Sequence, residues 1–165
     1  MRIKGLIVLL LTIFIGCSVS DDNSRENEVL IKKYVLAVEE NDIATMESLL
    51  ADNYVGLGPS ANDSINKVGA LENWQVNIMN LYESVKYSKS RIISVKVPDG
   101  ENKGEWVSVW AELKIVYKQD KKEVTVWTNS VYLIENGKIV RSFTFYNEAD
   151  VLEQLGYVFI NPDYL

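Results

Sequence analysis

The 165-residue chain has no histidine and a single cysteine. Without imidazole, Ser–His–Asp and Cys–His nucleophile systems are ruled out. Zinc sites built on imidazole or thiolate are ruled out with them. One cysteine allows no disulfide within the chain. Any chemistry must therefore come from carboxylates, Tyr, Lys, Arg or backbone groups, and no metal or other cofactor is expected. Positive charge is in deficit: 17 Lys and Arg face 23 Asp and Glu, a net charge of −6. No basic patch rises out of that balance, which argues against nucleic acid as a partner.

The one long apolar run lies at the start. "MRIKGLIVLLLTIFIGC" sets Arg2 and Lys4 before an uncharged stretch from Gly5 to Gly16. Twelve helical residues span roughly 18 Å, short of the roughly 30 Å hydrocarbon core of a bilayer. The stretch reads as the apolar region of a signal peptide, residues 1–16. Small Gly16 directly before Cys17 resembles a bacterial lipobox, with Phe14 where the usual pattern has Leu. That resemblance implies lipidation of Cys17, several acyl chains giving a stable membrane anchor where one chain is marginal. The other reading is an ordinary secreted protein with one stray thiol. Residues 17–27 read as the lipidated cysteine and a flexible polar tether. Asp21 and Asp22 resemble the acidic export signals of Bacteroidetes surface lipoproteins. The expected location is the bacterial envelope, on the periplasmic or surface side of the outer membrane. Loss of the leader's Arg2 and Lys4 takes the net charge from −6 to −8.

A single domain is expected over residues 28–165. Ile31, Tyr34, Val35 and Val38 recur at helical spacing, with Lys32, Lys33, Glu39 and Glu40 turned away. Asn41 and Asp42 can cap a second short helix carrying Ile43, Met46, Leu49 and Leu50. A brief strand at Tyr54–Leu57, a Gly- and Pro-containing loop and a helix over residues 67–81 follow. Past Tyr82 the pattern becomes β. In "WVSVWAELKIVYK", Val107, Val109, Ala111, Leu113, Ile115 and Tyr117 share one face and Trp106, Ser108, Trp110, Glu112 and Lys114 the other. Asn136-Gly137 supplies a type I′ hairpin turn. The last strand, "IVRSFTFY", runs into a short closing helix. Helices followed by a run of hairpin-linked strands describe an α+β domain.

"VLIKKYVLAVEENDIATMESLLADNYV" resembles the opening helices and strand of the nuclear transport factor 2-like superfamily. "YLIENGKIVRSFTFYNEADVLEQLG" resembles its SnoaL-like branch, with a Gly-Lys-Ile turn before the final strand and a Gln-Leu-Gly helix ending. The resemblance implies a cone: N-terminal helices on a strongly curved, mainly antiparallel sheet, around a pocket. That fold hosts isomerases, dehydratases, cyclases and non-catalytic binders, so function must be argued from the site. SnoaL-type catalysis places an acid near the end of the last strand, where this chain has Asn147. An amide takes no proton at neutral pH, so the general-base role does not carry over.

Asn147 also suits the N-cap of the closing helix, with Glu148 and Asp150 in the first turn and Gly156 just past the end. The remaining acid–base candidates are Glu112, Asp150 and Tyr146. Glu112 is a usable base if its face lines the cone, and an ion-pair partner of a lysine if that face meets solvent. Trp74, Trp110, Trp127, Asn129, Arg141 and Asn147 are the candidates for contact with a small apolar or aromatic ligand. The aromatics equally suit core packing or a homodimer formed through the open sheet face. Three functions stay open: a membrane-anchored ligand-binding domain, a SnoaL-like isomerase or hydro-lyase, and a dimeric interaction module.

Overall fold

The computed structural model describes residues 22–164, and the signal peptide and Cys17 lie outside the described residues. Helices α1 (Asp22–Glu40) and α2 (Ile43–Leu49) open the chain. Asp42 caps α2, its side chain accepting from the Thr45 N–H at 3.0 Å. Next come β1 (Leu50–Leu57), the short β2 (Ser64–Asn66) and α3 (Lys67–Asn80), capped by Asn66. Four strands in hairpin succession follow: β3 (Tyr82–Val97), β4 (Gly104–Tyr117), β5 (Glu123–Glu135) and β6 (Lys138–Tyr146). Helix α4 (Glu148–Leu155) closes the fold. All strands join one curled sheet in the order β2-β1-β6-β5-β4-β3, antiparallel except where β1 meets β6. The β5–β6 turn has positive φ at both Asn136 and Gly137, as a type I′ turn requires.

The alternation in β4 sorts the whole sheet, because every pairing keeps inward residues opposite inward residues. Val107, Val109 and Ala111 are buried, with Val107 opposite Tyr132 and Val109 opposite Ser130 on β5. With Ile31 of α1, Leu50 of β1 and Ile139 of β6 the two valines form the main core. Burying each such side chain stabilises the fold by about 1.5–3 kcal/mol before the entropy of ordering it is subtracted. The helices pack on this inward face.

Helix α1 also seals the edge of the sheet. Edge strand β3 carries backbone N–H groups with no neighbouring strand, and two carboxylates of α1 take them up. Glu28 accepts from the Ser94 N–H at 3.2 Å, and Glu39 accepts from the Tyr87 N–H at 2.5 Å. The two glutamates sit three turns apart on one helical face. Glu39, expected on the solvent side, therefore folds back onto the sheet.

Further boundaries differ from the sequence reading. Helix α1 begins at Asp22, so residues 22–27 of the expected flexible tether are helical. They are held there: Asn27 is buried and donates to Glu105 at 2.9 Å, and the Ser94 hydroxyl donates to the Ser24 carbonyl at 2.8 Å. Polar composition suggested a tether, but these long-range partners order the segment. Strand β1 starts at Leu50 rather than Tyr54, because Leu50 pairs with Ile139. Strand β3 is 16 residues long and is broken by a register shift around Lys89, whose φ is 51°.

Asn27→Ala should lower stability by about 1–2 kcal/mol, since it strips the partner from a partly buried carboxylate. Denaturant unfolding measures this directly; an unchanged midpoint would return the segment to the tether.

Candidate functional site

Packing is tight where α1 crosses the sheet and loose at the other end. There the inward face of β3–β6, helix α3 and helix α4 enclose a cavity of about 290 Å³. Its floor is apolar: Val85, Leu113, Ile115, Val126 and Val151. Five aromatic rings, Trp74, Tyr82, Tyr87, Tyr117 and Tyr146, stand around it. Tyr82 meets Tyr117 edge to face at 5.4 Å and Trp74 at 6.2 Å. The Trp74 Nε1–H is buried and has no hydrogen-bond partner among the described residues. Leaving that donor unmet costs about 1–3 kcal/mol.

Helix α4 is fixed beside the cavity by its caps and by the Gln154 side chain. Asn147 accepts from the Asp150 N–H at 3.3 Å, and Gly156 ends the helix in the left-handed conformation with φ 97°. Gln154 receives the Thr125 N–H at 3.0 Å and donates to the Thr125 carbonyl at 2.9 Å. Thr125 lies beyond the end of the β5–β6 pairing, so the Gln154 amide replaces the missing strand. That bidentate grip holds Glu148, Val151 and Leu152 against the cavity.

A second, more polar cavity of about 590 Å³ lies alongside and shares Asn73 and Tyr146 with the first. Ser142 and Thr144 of β6, with Asn62, Asp63, Ser64 and Asn73, make it polar, and Thr128 and Ser130 of β5 continue the hydroxyl row on the same inward face. Ser130 and Thr144 share a hydrogen bond at 3.1 Å, and Ser142 shares one with Tyr54 at 2.7 Å. Gly56 makes room for the Tyr54 hydroxyl, since a Cβ there would stand 2.7 Å from it. At Gly58, with φ 97°, a Cβ would lie 2.5 Å from the Thr144 carbonyl oxygen. This hydroxyl row was missed in the sequence reading. Its signal was the period-2 spacing in "TNS" and "SFT", which puts four small hydroxyls on the face of Tyr132 and Tyr146.

No protein-family model matches the chain, and no curated protein sequence matches it. Solved structures do. A candidate polyketide cyclase from Xanthomonas campestris pv. campestris superposes with a TM-score of 0.67 at 14% identity, over 81% of this chain and 99% of that one. An LEH-like epoxide hydrolase of M. tuberculosis gives 0.63 at 16% identity, over 81% and 91% of the two chains. A candidate ketosteroid isomerase from Kribbella flavida gives 0.55 at 13% identity, over 85% and 84%. The fold is nuclear transport factor 2-like.

Within this NTF2-like cone, the residues singled out from the sequence fall on opposite sides of the sheet. Trp74 and Tyr146 line the cavity. Trp110, Trp127, Asn129, Arg141 and Glu112 do not: they occupy the outward face, paired as Trp110 with Asn129 and Glu112 with Trp127. The period of two shows which residues share a face, and only the packed helices show which face is inside. Lys89, on the neighbouring strand, donates to Glu112 at 2.6 Å and with Ser88 holds its carboxyl below the usual carboxylate range. Glu112 is thus an ion-pair partner on the outer face. Asn147 is exposed and Asp150 supports the cap, and neither lines the cavity. Glu148 is the one carboxylate among the cavity's described lining residues. Among the described residues no group of three or more Cys, Asp or Glu stands together to hold a metal ion.

The cavity phenols are weak acids. Burial first, then the charge of Glu39, pushes Tyr87 up from 10.0 to about 12. Burial first, then its neighbour Tyr82, pushes Tyr117 to about 12. A folded-state value raised above the unfolded one means that the protonated phenol is favoured in the fold. The stability this contributes is intact below pH 10 and is lost as pH climbs from about 10 towards 12. Phenolate absorbance during an alkaline titration should therefore rise in step with unfolding in that window. Ionisation of Tyr87 and Tyr117 near pH 10 in a folded chain would refute their burial.

Proposed function

We propose that this domain binds a small apolar or aromatic molecule in the tyrosine-lined cavity without transforming it. We also propose that Cys17 anchors the chain to a bacterial envelope membrane. The observation that carries the binding reading is the enclosed aromatic cavity of about 290 Å³, close to the lower end of small-molecule sites at roughly 300 Å³. The non-catalytic reading is supported by where the acids are. General acid–base work needs a group tuned towards neutrality beside the reacting atom. Glu112 is on the far face and shifted the other way, Asp150 serves the cap, and the cavity tyrosines hold their protons more tightly than usual.

The anchor reading gains from the geometry of the cone. The start of α1 is tied to Glu105 at one end of β4, and the cavity lies at Ile115 and Tyr117 near the other end. Twelve residues of strand separate these ends by about 40 Å. A chain tethered at its N-terminus would present the cavity away from the membrane.

The competing enzymatic reading is a SnoaL-like isomerase or hydro-lyase. It draws on the cyclase, epoxide hydrolase and isomerase named among the structural neighbours and on Tyr146 and Glu148 in the cavity wall. Native mass spectrometry of the full chain, released gently from its host envelope, tests the binding reading. The expected result is an added mass of a few hundred daltons, lost in a Val126→Trp variant that fills the cavity. A clean protein mass, with no uptake of apolar aromatics added afterwards, would refute it. Recovery of both a substrate and its isomer or dehydration product would move the assignment to the enzyme.

A second reading concerns the outward sheet face. Trp110, Trp127 and Phe145 are 44%, 61% and 52% exposed, and Phe143 stacks on Phe145 beside the buried Trp106. Large exposed apolar surface of this kind marks an interaction site. We propose a second copy of the chain as its occupant. Sedimentation equilibrium should show a dimer that Trp127→Lys weakens by tenfold or more, roughly 1.4 kcal/mol. A monomer at every concentration would end this reading.

A further inference from the structure

The two adjoining cavities share a charge pattern that no single residue reveals. Five aromatic rings line the inner one, and Tyr146 stands in the wall common to both. Glu148 lines the inner cavity and Asp63 the outer one. Both carboxylates act on the Tyr146 phenol: after burial, Glu148, Tyr117 and Asp63 push it up. Glu148 acts on Tyr82 and Tyr117 in the same sense. None of the described residues lining either cavity is Lys or Arg. The nearby lysines are occupied or turned aside: Lys118 donates to the Met79 carbonyl at 2.8 Å, and Lys122 approaches Gly156 past the end of α4.

Resting on the reading of this cavity as a binding site, we propose that its ligand is an organic cation, a tertiary or quaternary ammonium carried on an apolar or aromatic body. The faces of aromatic rings carry negative quadrupole charge and attract ammonium groups. Glu148 in the cavity lining supplies the counter-charge, and Asp63 in the adjoining cavity adds to it. Neutral phenol oxygens around the ring accept hydrogen bonds from a protonated amine. An anion would meet the same ring faces and both carboxylates with no basic side chain to offset them. The apolar floor of Val85, Leu113, Ile115 and Val126 holds the uncharged body.

The test compares three benzyl probes by titration calorimetry on the full chain. Benzyltrimethylammonium is the cation, neopentylbenzene replaces its nitrogen by carbon, and phenylacetate is the anion. The ammonium should bind about tenfold more tightly than neopentylbenzene, and phenylacetate least. Glu148→Gln should cut that preference by about fivefold. Glu153→Gln, on the same helix but outside the cavity lining, should leave it unchanged. Equal or tighter binding of neopentylbenzene or phenylacetate overturns the cation assignment and leaves the binding cavity standing. An undiminished preference in Glu148→Gln also overturns it. Binding of none of the three probes overturns the cavity reading itself.

Discussion

A curled sheet has one inner face to fill, and three helices fill it unevenly. Helix α1 crosses near the Glu105 end of β4, where Ile31, Val107, Val109 and Ile139 close the core. At the Tyr117 end the covering elements are α3 and the eight-residue α4, and small and branched side chains leave the space between them open. The cavity is what this mismatch of packing leaves. Tyrosines suit its wall because a large ring spans the gap while its hydroxyl keeps a polar partner or faces the opening.

Covering the sheet also required treating its unpaired backbone. Glu28 and Glu39 take up N–H groups along the β3 edge, and Gln154 pairs with both backbone groups of Thr125 where β6 has ended. Each is a polar side chain standing in for an absent strand, which keeps a buried or shielded peptide group from going unpaired. The consequence for function lies at Gln154. By holding α4 in place it sets the position of Glu148, and so the sign of the charge at the mouth of the cavity.

The two faces of the sheet divide the remaining chemistry. Inside are the hydroxyl row of Thr128, Ser130, Ser142 and Thr144, the tyrosines and Glu148. Outside are exposed tryptophans, the stacked phenylalanines and the Lys89–Glu112 pair, with Lys89 also 5.8 Å from the Trp127 ring centre. The proposed ligand site and the proposed dimer face therefore lie on opposite sides of the sheet, and a substitution on one leaves the side chains of the other in place.

Sequence alone determined the local features. The α3 helix, the apolar face of α1, the Asp42 and Asn147 caps, the Asn-Gly turn, the left-handed Gly156 and the two faces of β4 all follow from interactions within a few residues, and all stand in the structure. The α+β class followed from their order, and the NTF2-like cone from the resemblance of the opening helices and the closing hairpin. Tertiary structure decided everything that depends on which element lies across the sheet. It put Trp110, Trp127, Asn129, Arg141 and Glu112 outside, because alternation is symmetric until a helix covers one face. It made residues 22–27 helical through Asn27, Glu105 and Ser94, partners some 70 to 78 positions away. It also joined Tyr82, Tyr117, Tyr146 and Glu148 into one site, since four residues from three strands and a helix meet only when the sheet curls.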